Sequence, residues 1–134
     1  MRLAIVSDTH LPRGSRRLPE ACVERLRAAD AILHAGDFVA LDVLRELEAL
    51  GPPVHAVHGN VDDAPLRARL HRRFPDAAAV VFGHSHIPLH EADADGFQIF
   101  NPGSPTERRR QPRHTMGMAT AHEGRLDFEL IALD

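Results

Sequence analysis

Near the N-terminus lies Leu3-Ala4-Ile5-Val6-Ser7-Asp8-Thr9-His10, the segment from which the fold class follows. Its first four residues form a continuous apolar run, which is typical of a short strand buried on both faces. Ser7 and Asp8 end this run and lead into a loop that contains proline and glycine. A buried strand that ends in polar residues predicts an open α/β sheet with its site at the strand ends.

A strand followed by a helix recurs along the first half of the chain. Apolar residues at helical spacing predict one helix within residues 19–29 and another within residues 43–50. Apolar runs at residues 31–35 and 54–58 predict the second and third strands. The order strand, helix, strand, helix, strand predicts parallel strands that are joined by right-handed crossovers.

The second half of the chain has a different pattern. Residues 64–73 are rich in arginine and are predicted to be helical, and residues 77–82 predict a fourth buried strand that ends in Gly83-His84. Short runs, several of them alternating, then predict antiparallel strands at residues 89–91, 97–100, 115–121 and 126–133. We therefore predict one α/β domain over residues 1–134, with a parallel βαβαβ first half, antiparallel strands in the C-terminal half and a hairpin turn at Glu123-Gly124.

Composition excludes several classes of protein. The chain has 134 residues, of which 43% are hydrophobic and 26% are charged, so neither a disordered nor a collagenous protein is expected. A net charge of −3 indicates no general field for nucleic acid or for an anionic membrane. The single cysteine, Cys22, lies at an apolar helical position, and the N-terminus has no signal-peptide pattern. We therefore expect a buried thiol and a cytoplasmic protein without nucleic-acid or membrane partners.

Polar motifs follow the predicted strands in regular order. They are Asp8-Thr9-His10, Gly36-Asp37, Gly59-Asn60-Val61-Asp62, Gly83-His84-Ser85-His86 and Asn101-Pro102-Gly103-Ser104. Each motif alone has an ordinary explanation as a turn, a helix cap or a surface histidine. Taken together, they place carboxylate, amide and imidazole groups on consecutive strand ends of one predicted parallel sheet. Such a set suits two first-row divalent metals bridged by a carboxylate, and its members are Asp8, His10, Asp37, Asn60, His84 and His86.

These motifs resemble those of the calcineurin-like metallophosphoesterases, in particular the small single-domain phosphodiesterases of bacteria and archaea. The resemblance covers most of the chain and implies a shortened αββα sandwich. It implies that one metal is held by Asp8, His10, Asp37 and His86, and that the bridging Asp37 with Asn60 and His84 holds a second. It also implies that Asn101-Pro102-Gly103-Ser104 forms a loop under the metal site.

The resemblance further implies an activity. A metal-dependent phosphoesterase, in this branch a phosphodiesterase, would hydrolyse a small phosphoester through a hydroxide that bridges the two metals. We expect catalytic roles for Asp37 and for Asp62, which follows the Asn60 motif. Manganese is the first expectation for both metals, with nickel, zinc, iron and magnesium as alternatives.

The chain departs from this family in the interval between Asn60 and His84, where we find no His-Gly pair to complete the second metal. His58 and His71 are nearby, but neither is a safe replacement. The missing imidazole leaves an open ligand position, so a weak or empty second site is expected. We also expect a missing strand pair and an apolar edge that a second subunit covers. Val61 stands where related phosphatases carry a histidine, so we expect slow turnover that favours activated aryl phosphodiesters.

Two functional alternatives and one local alternative stay open. A non-catalytic interaction module with at most one metal would keep the same fold, whereas metal storage is disfavoured because the histidines stand at strand ends and not in tracts. The one segment of biased composition is residues 107–113, which contains Arg108, Arg109 and Arg110. This segment is either a solvated surface loop or an anion-binding loop at the edge of the site.

Overall fold

Two sheets are seen in a computed structural model that describes residues 1–10, 17–36, 41–56 and 75–134, with the side chains of 41–44 and 55–56 outside that description. The elements of these ranges are β1 (Arg2–Val6), α1 (Glu20–Ala28), β2 (Ala31–His34), α2 (Leu41–Glu48), β3 (Val54–Ala56), β4 (Ala79–Val81), β5 (Leu89–Ala92), β6 (Gln98–Asn101), β7 (Thr115–His122) and β8 (Arg125–Ala132). The predicted helix at residues 64–73 lies outside the described residues.

The larger sheet has five strands in the order β3-β2-β1-β7-β8. Strands β1, β2 and β3 are parallel, which confirms the predicted βαβαβ first half. Strand β7 pairs antiparallel with both β1 and β8, and the predicted turn joins β7 to β8 with Glu123 and Gly124 at φ 48° and 74°. Strand β1 is thus hydrogen-bonded on both edges, and Ala4, Ile5 and Val6 are fully buried, as expected for a continuous apolar run.

The smaller sheet has the order β4-β6-β5, in which β4 is parallel and β5 antiparallel to β6. The prediction that the fourth strand ends on the same parallel sheet as the first three was therefore wrong. The prediction that it is fully buried was also wrong, since Ala79, Val80 and Val81 are half-buried and only Phe82 beyond them is buried. A short apolar run predicts a strand but carries no information about which strands it pairs with.

The core lies on both faces of the five-stranded sheet. On one face, Cys22 and Leu26 of α1 pack in a cluster that also contains Ala4, Val6 and Ile32. On the other face, Phe100 of the smaller sheet packs against Ile5 and Ala119. Its ring occupies the space above Gly117, where a β carbon would lie 2.3 Å from Phe100 Cε1. A helix layer, a five-stranded sheet and a three-stranded sheet are therefore stacked in that order, which gives the first three layers of the expected αββα sandwich in the described residues.

The predicted burial of Cys22 is confirmed. Its side chain is fully buried, and burial raises the pKa of the thiol to about 12. No helix in the described ranges has the length and apolar character needed to cross a membrane.

Candidate metal centre

The site begins where β1 ends beside β2. Hydrogen bonds between the two parallel strands continue past the strand ends, from the Ala35 amide to the Val6 carbonyl (2.9 Å) and from the Asp8 amide to the Gly36 carbonyl (3.0 Å). Asp8 is fully buried, and His10 is partly buried two residues later. The central strand of the larger sheet thus delivers a carboxylate and an imidazole to one point.

The exit of β4 lies against this point. Gly83 is packed so closely that a β carbon would lie 2.8 Å from both the Ala35 carbonyl oxygen and Ser7 Cβ. Glycine is therefore needed for the two sheets to approach each other here. His84 and His86 follow directly, so the site forms between the strand ends of two sheets and not along one sheet edge.

Backbone strain is concentrated at these ligands. Asp8, His10, His84 and His86 have φ values of 54°, 46°, 81° and 63°, in the left-handed region that side chains disfavour by roughly 1–2 kcal/mol per residue. Only Arg109 and Glu123 share this property among the other described non-glycine residues. Strained residues that the surrounding structure holds in place are a feature of functional sites.

Three side chains converge into a cluster that could hold a metal. The ligand atoms of Asp8, His10 and His86 all lie within 4.8 Å of one another. His10 Nε2 is 3.0 Å from His86 Nε2, and Asp8 Oδ1 is 3.9 Å from His86 Nε2. Two nitrogens bound at a right angle to one ion, at the usual metal–nitrogen distance of roughly 2.1 Å, would lie about 3 Å apart. The donor set and its spacing therefore fit one divalent cation.

The tautomer of His86 is set by the hydrogen bond of its Nδ1. His86 Nδ1 lies 2.6 Å from the backbone carbonyl oxygen of Glu107, which can only accept a hydrogen bond. Nδ1 therefore carries the proton in the neutral ring, and the lone pair is on Nε2, which faces Asp8 and His10. A carbonyl that orients a histidine in this way is common around bound metals.

The Asp8 carboxylate is held by neighbours on both sheets. Its Oδ1 accepts a hydrogen bond from the His84 backbone amide (2.7 Å). Its Oδ2 lies 2.6 Å from Ser7 Oγ, which is also 2.9 Å from the Gly103 carbonyl, so the single hydroxyl proton can serve either acceptor. Asp8 therefore has a fixed orientation towards the histidines.

The loop after β6 lies against the site, as the resemblance implied. Ser104 Oγ donates to the Asp8 carbonyl (2.8 Å) and accepts from the amides of Thr106 (3.2 Å) and Glu107 (2.9 Å). Thr106 Oγ1 donates to the Thr9 carbonyl (2.5 Å). One buried hydroxyl, that of Ser104, thus connects the backbone that carries Asp8 to the backbone that orients His86.

Several supporting residues were not assigned a role from the sequence. His34 is buried, and its Nδ1 accepts a hydrogen bond from the Gly36 amide (3.1 Å), so its Nε2 donates to Thr9 Oγ1 (3.1 Å). Glu107 contributes its carbonyl oxygen to His86 and places its carboxylate Oε2 3.9 Å from His10 Nε2. A histidine inside an apolar strand was a usable signal, whereas a backbone carbonyl has none in a sequence.

The structure brings together three of the six predicted ligands. His84 is exposed, and its backbone amide contacts Asp8 while its imidazole is not part of the cluster. Asp37, Asn60 and Asp62 lie outside the described residues, as do His58 and His71. The cluster corresponds to the position expected for the first metal.

Comparison with known families agrees with this geometry. The profile of the calcineurin-like phosphoesterase superfamily domain matches residues 1–76 and 63–124. The chain belongs to this superfamily. Members bind divalent metals, and Asp8, His10 and His86 form a candidate metal site in this one. The two matched segments overlap within the interval that separates Asn60 from His84.

Similar proteins include a probable metallophosphoesterase and a phosphodiesterase of archaea. The chain is 32% identical over 162 residues to a probable metallophosphoesterase of Methanothermobacter thermautotrophicus, covering 98% of this chain and 92% of the relative. That alignment is longer than the 134 residues of this chain, so the relative contains residues that have no counterpart here. A phosphodiesterase of Methanocaldococcus jannaschii is 36% identical over 64 residues, which are 46% of this chain and 37% of that protein.

The fold is shared with solved structures. Vps29 of Entamoeba histolytica, crystallised with zinc, superposes with a TM-score of 0.75 at 18% identity, over 100% of both chains. The agreement confirms the calcineurin-like fold that the motifs predicted.

Proposed function

We propose that this chain is a metal-dependent phosphodiesterase that hydrolyses a small phosphoester. The observation that carries the proposal is the buried cluster of Asp8, His10 and His86, in which the Nε2 lone pair of His86 faces the other two ligands. Membership of the calcineurin-like phosphoesterases supports hydrolase chemistry, and similarity to a protein named phosphodiesterase supports diesters as substrates.

We assign the residues as the motifs suggest. Asp8, His10, Asp37 and His86 would hold the first metal, and Asp37, Asn60 and His84 would hold the second. When bound, divalent ions such as manganese lower the pKa of water and neutralise charge on the phosphate. Asp37, as the shared ligand, and Asp62 are the catalytic carboxylates of this proposal.

The residues around the cluster have a positioning role. The Glu107 carbonyl keeps the Nδ1 proton of His86 away from the cluster, and Ser7 with the His84 amide keeps Asp8 directed towards it. Because Asp8 and His86 are at most 1% exposed, their side chains are held by protein contacts and not by solvent. A preorganised set of ligands loses little entropy when a cation binds.

The test is hydrolysis of bis(4-nitrophenyl) phosphate with added manganese, for wild type and for Asp37→Asn. We expect metal-stimulated turnover by wild type and a loss of roughly a hundredfold or more in the variant, since a shared ligand is removed. His122→Asn is the matched control, because His122 is exposed in the β7–β8 hairpin. Wild-type activity that does not exceed that of Asp37→Asn would overturn the proposal.

A non-catalytic interaction module with one metal is the second candidate. It is supported by the missing His-Gly pair and by the residues that the archaeal relative contains and this chain lacks. The similarity in fold to Vps29 is compatible with either function. Calorimetry separates the two: one manganese bound per chain without hydrolysis of any aryl phosphodiester supports the module, and turnover excludes it.

A further inference from the structure

A basic turn starts next to the metal centre. We name residues 108–111 the arginine turn, because three consecutive arginines, all exposed, occupy its first three positions. It begins one residue after Glu107, whose carbonyl oxygen is 2.6 Å from His86 Nδ1 and whose carboxylate is 3.9 Å from His10 Nε2. At about 3.8 Å between consecutive Cα atoms, the Cα of Arg109 lies within roughly 8 Å of that of Glu107. The turn therefore lies at the rim of the site.

The backbone of the turn holds Arg109 in a conformation that favours glycine. The Gln111 amide donates to the Arg108 carbonyl (2.9 Å), which closes a four-residue turn. Arg109, in its second position, has φ 51°, whereas Arg110 does not have positive φ. This combination is that of a type II′ turn, in which glycine is favoured at the second position. An arginine there costs folding free energy without improving the turn.

The three guanidinium groups differ in their partners. Arg108 Nη1 donates to the Gln111 carbonyl (2.7 Å). Arg108 also interacts electrostatically with Asp134, although the pKa of that carboxyl is lowered mainly by its hydrogen bonds with His114. The side chains of Arg109 and Arg110 have no hydrogen-bond or ion-pair partner within the described ranges. Two cationic groups on this turn are thus available to a ligand.

From this arrangement we infer that Arg109 and Arg110 bind a second phosphate group of the substrate, separate from the ester that is hydrolysed. The inference rests on the proposed phosphodiesterase function. The charge of one diester would be neutralised by bound metal, so two further guanidinium groups at the rim match an additional anion. Arginine is suited to this role because its planar donors bind phosphate oxygens in pairs.

The first experiment uses two substrates that differ only in the second phosphate. Thymidine 5′-(4-nitrophenyl phosphate) has one phosphate, and its 3′-phosphorylated derivative has two. For Arg109→Gly and Arg110→Gln we expect kcat/KM with the two-phosphate substrate to fall about fivefold each, through KM. We expect no change with the one-phosphate substrate. Arg125→Gln, at an exposed position in the β7–β8 hairpin, is the matched control.

Arg109→Gly also separates binding from a structural role. Glycine relieves the strain of the positive φ, so the melting temperature of the variant should equal or exceed that of wild type. The preference of the variant for the two-phosphate substrate over the one-phosphate substrate should decline. An equal loss on both substrates, or no loss on either, would overturn the inference and leave the phosphodiesterase function intact.

The second experiment does not depend on turnover. Calorimetry with the manganese-loaded protein compares thymidine 3′,5′-bisphosphate with thymidine 5′-monophosphate. We expect wild type to bind the bisphosphate about tenfold more tightly and the double variant Arg109→Gly, Arg110→Gln to lose that preference. Equal wild-type affinities for the two nucleotides would contradict the inference even if the chain hydrolyses nothing.

Discussion

The two sheets contribute to the metal centre in different ways. The five-stranded sheet supplies Asp8 and His10 from β1, a central strand that has hydrogen-bonded neighbours on both sides. The three-stranded sheet supplies His86 from the exit of β4, an edge strand of only three half-buried residues. Asp8 and His10 lie just beyond a strand that is paired on both sides, whereas the orientation of the His86 ring depends on a hydrogen bond to the loop after β6.

This difference shows where a substitution should disturb the geometry of the site most. Loop residues 104–107 contribute none of the three ligand side chains, although the Glu107 carboxylate lies 3.9 Å from His10 Nε2. They nevertheless fix the tautomer of His86 and contact the backbone of Asp8. Substitutions in the loop should therefore disturb metal ligation by His86 more than ligation by Asp8 and His10. Three substitutions test this at decreasing expected strength.

The largest effect is expected at the ligand from the smaller sheet. Replacing His86 by asparagine removes the Nε2 lone pair and should lower the affinity for manganese by roughly a hundredfold or more. Calorimetric titration measures this, with His122→Asn as the control for loss of an exposed histidine. An unchanged affinity would show that the cluster does not hold the metal.

A smaller effect is expected for the loop that positions His86. Ser104→Ala removes the hydroxyl that contacts the Asp8 carbonyl and the amides of Thr106 and Glu107. Changes of this kind around a metal lower its affinity by roughly 10- to 100-fold. Thr120→Ala, at an exposed position of β7, is the control and should bind metal as wild type does. If Ser104→Ala matches that control in metal affinity, the loop does not position the ligands.

The smallest change in metal affinity is expected at the junction of the sheets. Gly83→Ala places a methyl group against Ser7 and the Ala35 carbonyl, so overpacking should reduce the free energy of unfolding by about 1–3 kcal/mol. We expect manganese affinity to fall severalfold as well, because the β1 and β4 exits are pushed apart. Gly96→Ala, where a methyl group meets open space at φ 86°, should lose stability through backbone strain alone and keep metal affinity. Denaturant unfolding and calorimetry distinguish the two variants. Wild-type manganese affinity in Gly83→Ala would mean that the junction of the sheets tolerates displacement.

Much of the fold could be predicted because strand and helix periodicities are local. The parallel β1, β2 and β3, the burial of Cys22 and the hairpin at Glu123-Gly124 all follow from patterns within a few residues. The assignment of β4 to the wrong sheet shows the limit of that approach. The sheet that a strand joins is decided by packing between residues that are distant in the chain, as when Phe100 of the smaller sheet packs against Ile5 of the larger one.

The candidate site also has residues that the sequence predicts and residues that it does not. Asp8, His10 and His86 could be named in advance because carboxylate and imidazole groups at strand ends have a chemical signature. Ser104 was expected only as part of a loop under the metal site, and Thr106 and the carbonyl of Glu107 could not be named, because hydroxyls and backbone carbonyls are everywhere in a sequence. Their roles arise only from the approach of the loop to residues 7–10, almost a hundred positions earlier.

The sequence by itself determined the superfamily, the parallel first half and the residue types that can bind a metal, since each depends on local pattern and side-chain chemistry. Only the tertiary structure decided that the ligands come from two sheets, that His86 presents Nε2, and that the arginine turn begins beside the cluster. These outcomes depend on long-range packing and hydrogen bonding, in which small differences in close contact select one arrangement among several that a local pattern permits.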